Sequence, residues 1–118
     1  MRRTTILTGF SALVAIFVAS PVDAQTKAAG PDAATVTELY KVKCATCHMM
    51  DGNSAIEMMN FTDGKWKHGT TQKQMAAVIR DGIPGTAMVP FKSQLSEAEI
   101  QALARYVRNF DKKLKARK

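Results

Sequence analysis

The residues best suited to chemistry stand together as Cys44-Ala45-Thr46-Cys47-His48, and they include both cysteines of the chain. Two thiols separated by two residues can add across the two vinyl groups of a porphyrin. The histidine that follows is then held beneath the iron as an axial ligand. The spacing therefore predicts one covalently bound haem c, attached through Cys44 and Cys47, with His48 on the iron.

Three other uses of the same residues were weighed against haem attachment. A thioredoxin-like redox pair requires a βαβ context, which the pattern of the chain does not provide. A zinc site requires four ligands, and the whole supply of cysteine and histidine is Cys44, Cys47, His48 and His68. A disulfide between the two cysteines would close a very short loop and add little stability. Haem attachment is favoured over all three.

The opposite face of the iron needs a ligand of its own, and Met88 is the favoured residue. It lies in an irregular segment between Pro84 and Pro90, forty residues after His48. A chain of that length, with a helix between, can wrap around the edge of the ring. A neutral thioether opposite histidine also favours the reduced iron and so raises the reduction potential.

Other candidates for that position are weaker but not eliminated. Met49 and Met50 follow His48 too closely to reach the opposite face, and Met75 lies on the apolar face of a predicted helix. The remaining alternatives are Met58 and Met59, which lie far enough from His48 along the chain to reach the opposite face, and His68, the only other histidine. A further alternative is an open position, with Met88 packed as an ordinary apolar side chain.

Three helices with clear start signals must position these residues. The first is expected from Asp32 or Thr35 to Lys43, since Thr35 and Glu38 have the spacing of a capping box. A second capping box, Thr71 with Gln74, begins a helix that Gly82 ends.

The third helix has the strongest pattern. Ser96 and Glu99 form another capping box, and an apolar stripe follows at helical spacing: Ile100, Leu103, Ala104, Val107 and Phe110. Residues 49–69 show no sustained period, which indicates a long functional loop. Because no segment alternates like a strand, the fold class is predicted to be all-α.

The ends of the chain suggest export. Residues 1–24 combine a basic start, a 14-residue apolar stretch and small residues before Gln25, which is the pattern of a cleaved secretory signal. An uncleaved anchor is the alternative, although that stretch is shorter than the roughly 20 residues needed to span a bilayer. Residues 25–31 read as a flexible lead-in, 32–111 as the domain and 112–118 as a basic, frayed tail. We therefore expect a periplasmic protein.

Size and charge narrow the function further. The 118 residues carry a formal charge of +7, which becomes +6 without the signal and about +4 with two haem propionates. So small a chain has a thin core, which excludes a multidomain enzyme and suggests that a cofactor completes the core. The basic excess could steer the domain onto an acidic partner through Lys41, Lys43, Lys65, Lys67, Lys73 and Lys92. It could equally be a solvated surface.

Membranes and nucleic acids are weaker candidates as partners. The tail at 112–118 could touch anionic lipid, although a solubilising role is favoured. Nucleic acid is not an expected partner of an exported chain. No stable membrane insertion is expected once the signal is removed.

Together these residues resemble the class I cytochromes c, in particular the short single-haem bacterial domains of haem-copper oxidase and dehydrogenase assemblies. The matching elements follow one another in order and cover nearly the whole mature chain: Leu39-Tyr40, the run 44–48, Trp66 with Gly69, the run 82–88, Leu95-Ser96 and Tyr106-Val107. The resemblance implies a small cytochrome c fold with Met88 as the sulfur ligand. It also implies that Tyr40 crosses the last helix near Leu103 and Val107. Four residues are further expected to pack at the haem: Tyr40, Trp66, Pro90 and Phe91.

The resemblance further implies a one-electron carrier rather than an enzyme, with a dehydrogenase as donor and a terminal oxidase or similar acceptor. Two alternatives stay open: a haem enzyme or gas-binding protein with an open sixth position, and a dedicated subunit of one periplasmic dehydrogenase. Of four departures of the chain from the family pattern, two concern the haem histidine. Met49 stands where a glycine usually follows the haem histidine. The run 56–60 lacks the proline whose carbonyl usually accepts the second proton of that histidine.

Overall fold

The computed structural model of the protein describes residues 29–117. The predicted signal at 1–24, positions 25–28 of the predicted lead-in and Lys118 lie outside the described residues. The described helices are α1 (Ala33–Lys43), α2 (Ala45–His48), α3 (Gln72–Asp81), α4 (Glu97–Arg108) and α5 (Lys112–Lys115), with a 3₁₀ turn at Glu57–Met59. No strand occurs between residues 29 and 117, in agreement with the predicted all-α class.

The helix starts follow the polar residues that precede them. Of the two predicted starts for α1, the structure has the earlier one, because the Asp32 carboxylate accepts from the Thr35 amide at 2.7 Å. The capping box of Thr71 and Gln74 begins α3, and the box of Ser96 and Glu99 begins α4. Both boxes are therefore confirmed, and each satisfies backbone amides that the first helical turn leaves unpaired.

The core lies where α4 packs against both α1 and α3. Its fully buried large side chains are Tyr40 from α1 and Ile100 and Leu103 from α4. Met75 of α3 is also buried, as its place on the apolar face predicted. The segments at 49–71 and 82–95 connect α2 to α3 and α3 to α4.

The end of the chain differs from the expected frayed tail. Asp111 caps a helical turn, α5, by accepting from the amides of Lys113 and Leu114 at 2.8 and 3.3 Å. Leu114 is buried in the core. The expectation of a frayed tail rested on the many cations of this segment and overlooked the single apolar residue, Leu114, and the capping residue, Asp111.

Within residues 29–117, no helix combines the length and the apolar character needed to cross a bilayer.

Candidate haem site

One cavity of about 340 Å³ lies between the helical core and the two long loops. This volume falls in the range of sites that enclose cofactors and small ligands. Most of its wall is apolar or aromatic. Lining residues include Cys44, Cys47, His48, Phe61, Trp66, Met75, Val78, Ile79, Met88, Phe91, Leu103 and Val107.

The two cysteines reach this cavity from the junction of α1 and α2. The Cys44 amide donates to the Tyr40 carbonyl at 2.8 Å, and the His48 amide donates to the Cys44 carbonyl at 3.0 Å. The chain therefore turns directly from one helix into the next, with Cys44, Cys47 and His48 all lining the cavity. The two cysteines form no disulfide with each other.

The His48 ring is held from behind by the 3₁₀ turn. Its Nδ1 lies 2.8 Å from the Met59 carbonyl oxygen. Because a carbonyl only accepts, Nδ1 carries the proton and Nε2 keeps its lone pair for a metal. Burial lowers the pKa of His48, although the bond to Met59 acts in the opposite direction, so the ring is neutral at neutral pH. The acceptor that the missing proline left unassigned is thus Met59.

Met49 stands where the family usually has glycine, and its backbone conformation is one that favours glycine. Its φ of 62° and ψ of 157° lie in a region that side chains rarely occupy. The Met49 carbonyl accepts from the Tyr40 hydroxyl at 2.7 Å and from the Gly52 amide at 3.2 Å. These bonds hold the strained residue in place directly after His48.

Cys44 is the more buried of the two cysteines. Burial raises the pKa of its thiol to about 11. A thiol with such a pKa is protonated at neutral pH. Among residues 29–117, no three His, Cys, Asp or Glu side chains converge as a metal cluster, which includes the four residues considered for zinc.

The opposite side of the cavity is formed by the loop that carries Met88. The Ile83 amide donates to the Met88 carbonyl at 2.9 Å, and the Met88 amide donates to the Thr86 hydroxyl at 3.2 Å. Gly82, with φ of 67°, begins this loop in close contact: a Cβ there would lie 2.6 Å from the Met88 carbonyl oxygen. The loop is therefore compact, and it brings Met88 into the same cavity as His48.

The rival ligands Met58, Met59 and His68 also line the cavity. Met59 belongs to the turn that supports His48 from behind, and its neighbour Met58 is 67% exposed. Both methionines therefore belong to the segment that lies on the His48 side of the cavity. His68 lines the cavity within the loop before α3. The geometry thus favours Met88 over Met58 and Met59, whereas His68 shares the cavity with Met88. The assignment of Met88 as ligand remains a prediction.

The four residues predicted to pack at the haem divide evenly. Trp66 and Phe91 line the cavity, whereas Tyr40 and Pro90 do not. Tyr40 is fully buried instead, with its ring 5.1 Å from Tyr106 and 5.2 Å from Phe110. Its place against α4 agrees with the helix crossing that the resemblance implied. Its connection to the site runs through the bond to Met49.

Sequence reasoning missed two contributors to the site. Phe61 stacks on the His48 ring, with centroids 4.2 Å apart. Asp111 is buried and accepts from Trp66 Nε1 at 2.8 Å. Asp111 had a detectable signal as a capping residue before 112–115, whereas Phe61 lies in a loop without a periodic pattern that would mark it as buried.

The residues present fit a covalently attached haem. Two cysteines that form no disulfide, a histidine whose Nε2 is available and a thioether share one largely apolar cavity. This is the donor set that c-type haem requires. The helical fold and the site together define a class I c-type cytochrome domain.

Comparisons with known proteins agree with that class. Residues 31–107 match the family described as "Cytochrome C oxidase, cbb3-type, subunit III", and the chain belongs to this family. A "Cbb3-type cytochrome c oxidase subunit CcoP" from Rhodobacter capsulatus is 35% identical over 78 residues, which cover 59% of this chain and 26% of the relative. A second CcoP, from a named strain of Rhodobacter capsulatus, is 33% identical over the same length and shares. The chain thus spans about a quarter of the length of these curated relatives.

A solved structure gives a further match over most of its length. It is titled "KustC0563 c-type cytochrome" and is 33% identical, with a TM-score of 0.54. The match covers 64% of this chain and 95% of that chain. The similarity therefore extends to almost the entire fold of a known cytochrome.

Proposed function

We propose that this chain is a one-electron carrier with a single covalent haem c ligated by His48 and Met88. The observation that carries the proposal is the convergence of Cys44, Cys47, His48 and Met88 on one apolar cavity. The sequence holds one such attachment motif, which supports one haem. When bound, haem c supplies a reversible Fe(III)/Fe(II) couple.

The residues around the cavity suit transfer rather than catalysis. His48 and Met88 would occupy both axial positions, which leaves no place for a substrate. Apolar side chains such as Phe91 and Leu103 exclude water, and a dry site limits the reorganisation that accompanies a change of charge. These features favour electron exchange at the edge of the ring.

A docking surface for redox partners is proposed at the mouth of the cavity. Lys43, Lys65 and Lys67 line it, and so do Met58 and Val89, which are 67% and 51% exposed. An apolar patch with lysines around it suits brief contact with an acidic protein. Among the predicted lysines, three lie within 4 Å of carboxylates: Lys41, Lys65 and Lys92.

The physiological setting is proposed from the ends of the chain and from its relatives. The pattern of residues 1–24 supports export to the periplasm. The CcoP relatives are named as subunits of an oxidase, which supports a terminal oxidase as acceptor. A dehydrogenase is the proposed donor. Salt-dependent reduction by a candidate donor would test the docking, since electrostatic association weakens as ionic strength rises.

Mass spectrometry and absorption spectra test the central proposal. The exported protein should carry the mass of one haem and begin near Gln25, and replacing Cys47 with Ser should remove most folded holoprotein. The oxidised protein should show a sulfur-to-iron charge-transfer band that Met88→Ala abolishes. Met58→Ala is the matched control, and it should keep the band. If wild type lacks the band and binds carbon monoxide readily when reduced, the carrier assignment is overturned in favour of an open site.

A further inference from the structure

The His48 ring is restrained in two independent directions. The bond from Nδ1 to Met59 fixes where that nitrogen points but still permits the ring to turn about the bond. Phe61 blocks this rotation, because its ring lies against the imidazole with centroids 4.2 Å apart and planes inclined by 16°. The two contacts together fix the plane of the imidazole before any metal bond is considered.

Phe61 is itself held firmly. Its amide donates to the Gly52 carbonyl at 2.8 Å. On its ring, Trp66 stacks at 5.5 Å with planes 2° apart, and Phe110 lies at 6.2 Å. Such aromatic contacts stabilise beyond the area that they bury.

The far end of this stack is tied to the C-terminal turn. Trp66 donates its indole proton to Asp111 Oδ2 at 2.8 Å, while Oδ1 of the same carboxylate caps α5. Asp111 is only 5% exposed. The indole proton of Trp66 is therefore engaged by a side chain of the protein itself. An ordered row of groups therefore runs from Asp111 through Trp66 and Phe61 to His48.

We propose that Phe61 is a positioning residue that sets the plane of the His48 imidazole beneath the haem iron, anchored through Trp66 to Asp111. The inference rests on the proposed haem function. It has an electronic consequence, because the face of a benzene ring is electron-rich and attracts positive charge. An imidazole on ferric iron bears more positive charge than one on ferrous iron. Phe61 therefore stabilises the oxidised protein and lowers its reduction potential.

Phe61→Leu in the full holoprotein tests this role, since leucine keeps an apolar side chain and removes the stacked ring. We expect shifted g values in the electron paramagnetic resonance of the ferric protein. The Nδ1 proton should exchange with solvent about 2- to 10-fold faster by NMR. The potential should rise, with a change in the oxidised-to-reduced ratio of at most about fivefold. Phe61→Tyr, which restores a ring, should return all three values toward wild type.

Tyr106→Leu is the matched control, because it removes an aromatic ring that lies outside the cavity and that contacts Tyr40 and Phe110 rather than His48. It should leave the g values and the Nδ1 exchange at wild-type values. Equal changes in Tyr106→Leu and Phe61→Leu would mean a general effect of losing an aromatic ring from the fold and would overturn the proposal. So would a Phe61→Leu holoprotein with wild-type spectra.

A second variant, Trp66→Phe, tests the same proposal if the Phe61→Leu holoprotein does not form in sufficient amount. Trp66→Phe retains a stacked ring and removes the bond to Asp111, so the g values should shift in the same direction by less. Wild-type values in Trp66→Phe would overturn the proposed anchorage. A wild-type protein without covalent haem would overturn the proposed function and this inference together, whereas intact holoprotein with unaltered variants would overturn this inference alone.

Discussion

The two walls of the cavity hold their ligands in different ways. On the histidine side, the side chain itself is restrained, by the Met59 carbonyl at 2.8 Å and by the Phe61 ring at 4.2 Å. On the methionine side, the recorded hydrogen bonds of Met88 involve its backbone, at 2.9 Å to Ile83 and 3.2 Å to Thr86. One wall orients a ring, and the other positions a segment of chain.

The difference follows from the chemistry of the two ligands. An imidazole must present the correct nitrogen, in the correct tautomer and plane, so it needs directional contacts. A thioether carries no proton and accepts hydrogen bonds only weakly, so nothing comparable can orient it. The protein therefore controls Met88 through the shape of its loop. Substitutions on the two sides should consequently act by different physical routes.

The largest expected effect is on the methionine side, from Gly82→Ala. The new Cβ would meet the backbone of Met88, Val89 and Pro90 at 2.6 to 2.8 Å, at a φ that disfavours side chains. We expect a loss of about 2–4 kcal/mol in the free energy of unfolding and a weaker sulfur-to-iron band. Denaturant unfolding with absorption detection measures both.

Gly85→Ala is the matched control for this substitution. Gly85 also has a positive φ, of 76°, but nothing lies within 4 Å of the added Cβ. Gly85→Ala should lose only about 1–2 kcal/mol in the free energy of unfolding, which is the cost of a side chain at a positive φ, and it should keep the sulfur-to-iron band. Equal losses at the two glycines would show that close packing at Gly82 does not shape the Met88 loop.

An intermediate effect is expected on the histidine side, from Asp111→Ala. This change removes the acceptor of Trp66 and the cap of α5 together. The expected loss is about 1.5–3 kcal/mol in the free energy of unfolding. Thermal or denaturant unfolding checks it, and the Met88 band should persist because the Met88 loop is untouched. Disappearance of the band would contradict the separation of the two walls.

The same carboxylate should make stability depend on pH. Burial acts to raise the pKa of Asp111, but donors from Trp66, Lys113 and Leu114 outweigh it and hold the pKa below its usual value. A group with a lowered native pKa stabilises the fold above its unfolded pKa of about 3.9 and loses that contribution as pH falls through the native value. The stability difference between wild type and Asp111→Asn should therefore be constant near neutrality and shrink below about pH 4. A constant difference down to pH 2 would contradict this account.

The smallest effect expected is a gain, from Met49→Gly beside His48. Glycine removes the strain of a positive φ at a side chain that is 48% exposed, although it adds freedom to the unfolded chain. We expect about 1 kcal/mol of added stability by denaturant unfolding. Met50→Gly, at an equally exposed neighbour without the positive φ, should instead lose about 0.5–1 kcal/mol. Loss of stability in both variants would refute strain at Met49.

Local signals predicted much of this fold because they depend on neighbours in the chain. The capping boxes before α3 and α4 were readable, since each pairs residues three positions apart. The attachment motif was readable for the same reason. The C-terminal turn was not, because burial of Leu114 depends on distant residues. The packing of Tyr40 outside the cavity also depends on the orientation of α1 against α4, which no local pattern specifies.

The sequence by itself determined the haem chemistry, because covalent attachment depends on the identity and spacing of Cys44, Cys47 and His48. It also determined the main helices, through their caps and apolar stripes. Only the tertiary structure decided how the histidine is held. The contacts come from the Met59 carbonyl, the Phe61 ring and the Asp111 carboxylate, and Asp111 lies 63 positions after His48 in the sequence. The reason is physical, since a hydrogen bond or a stacked ring depends on distance and angle in space. Those quantities exist only once the chain has folded.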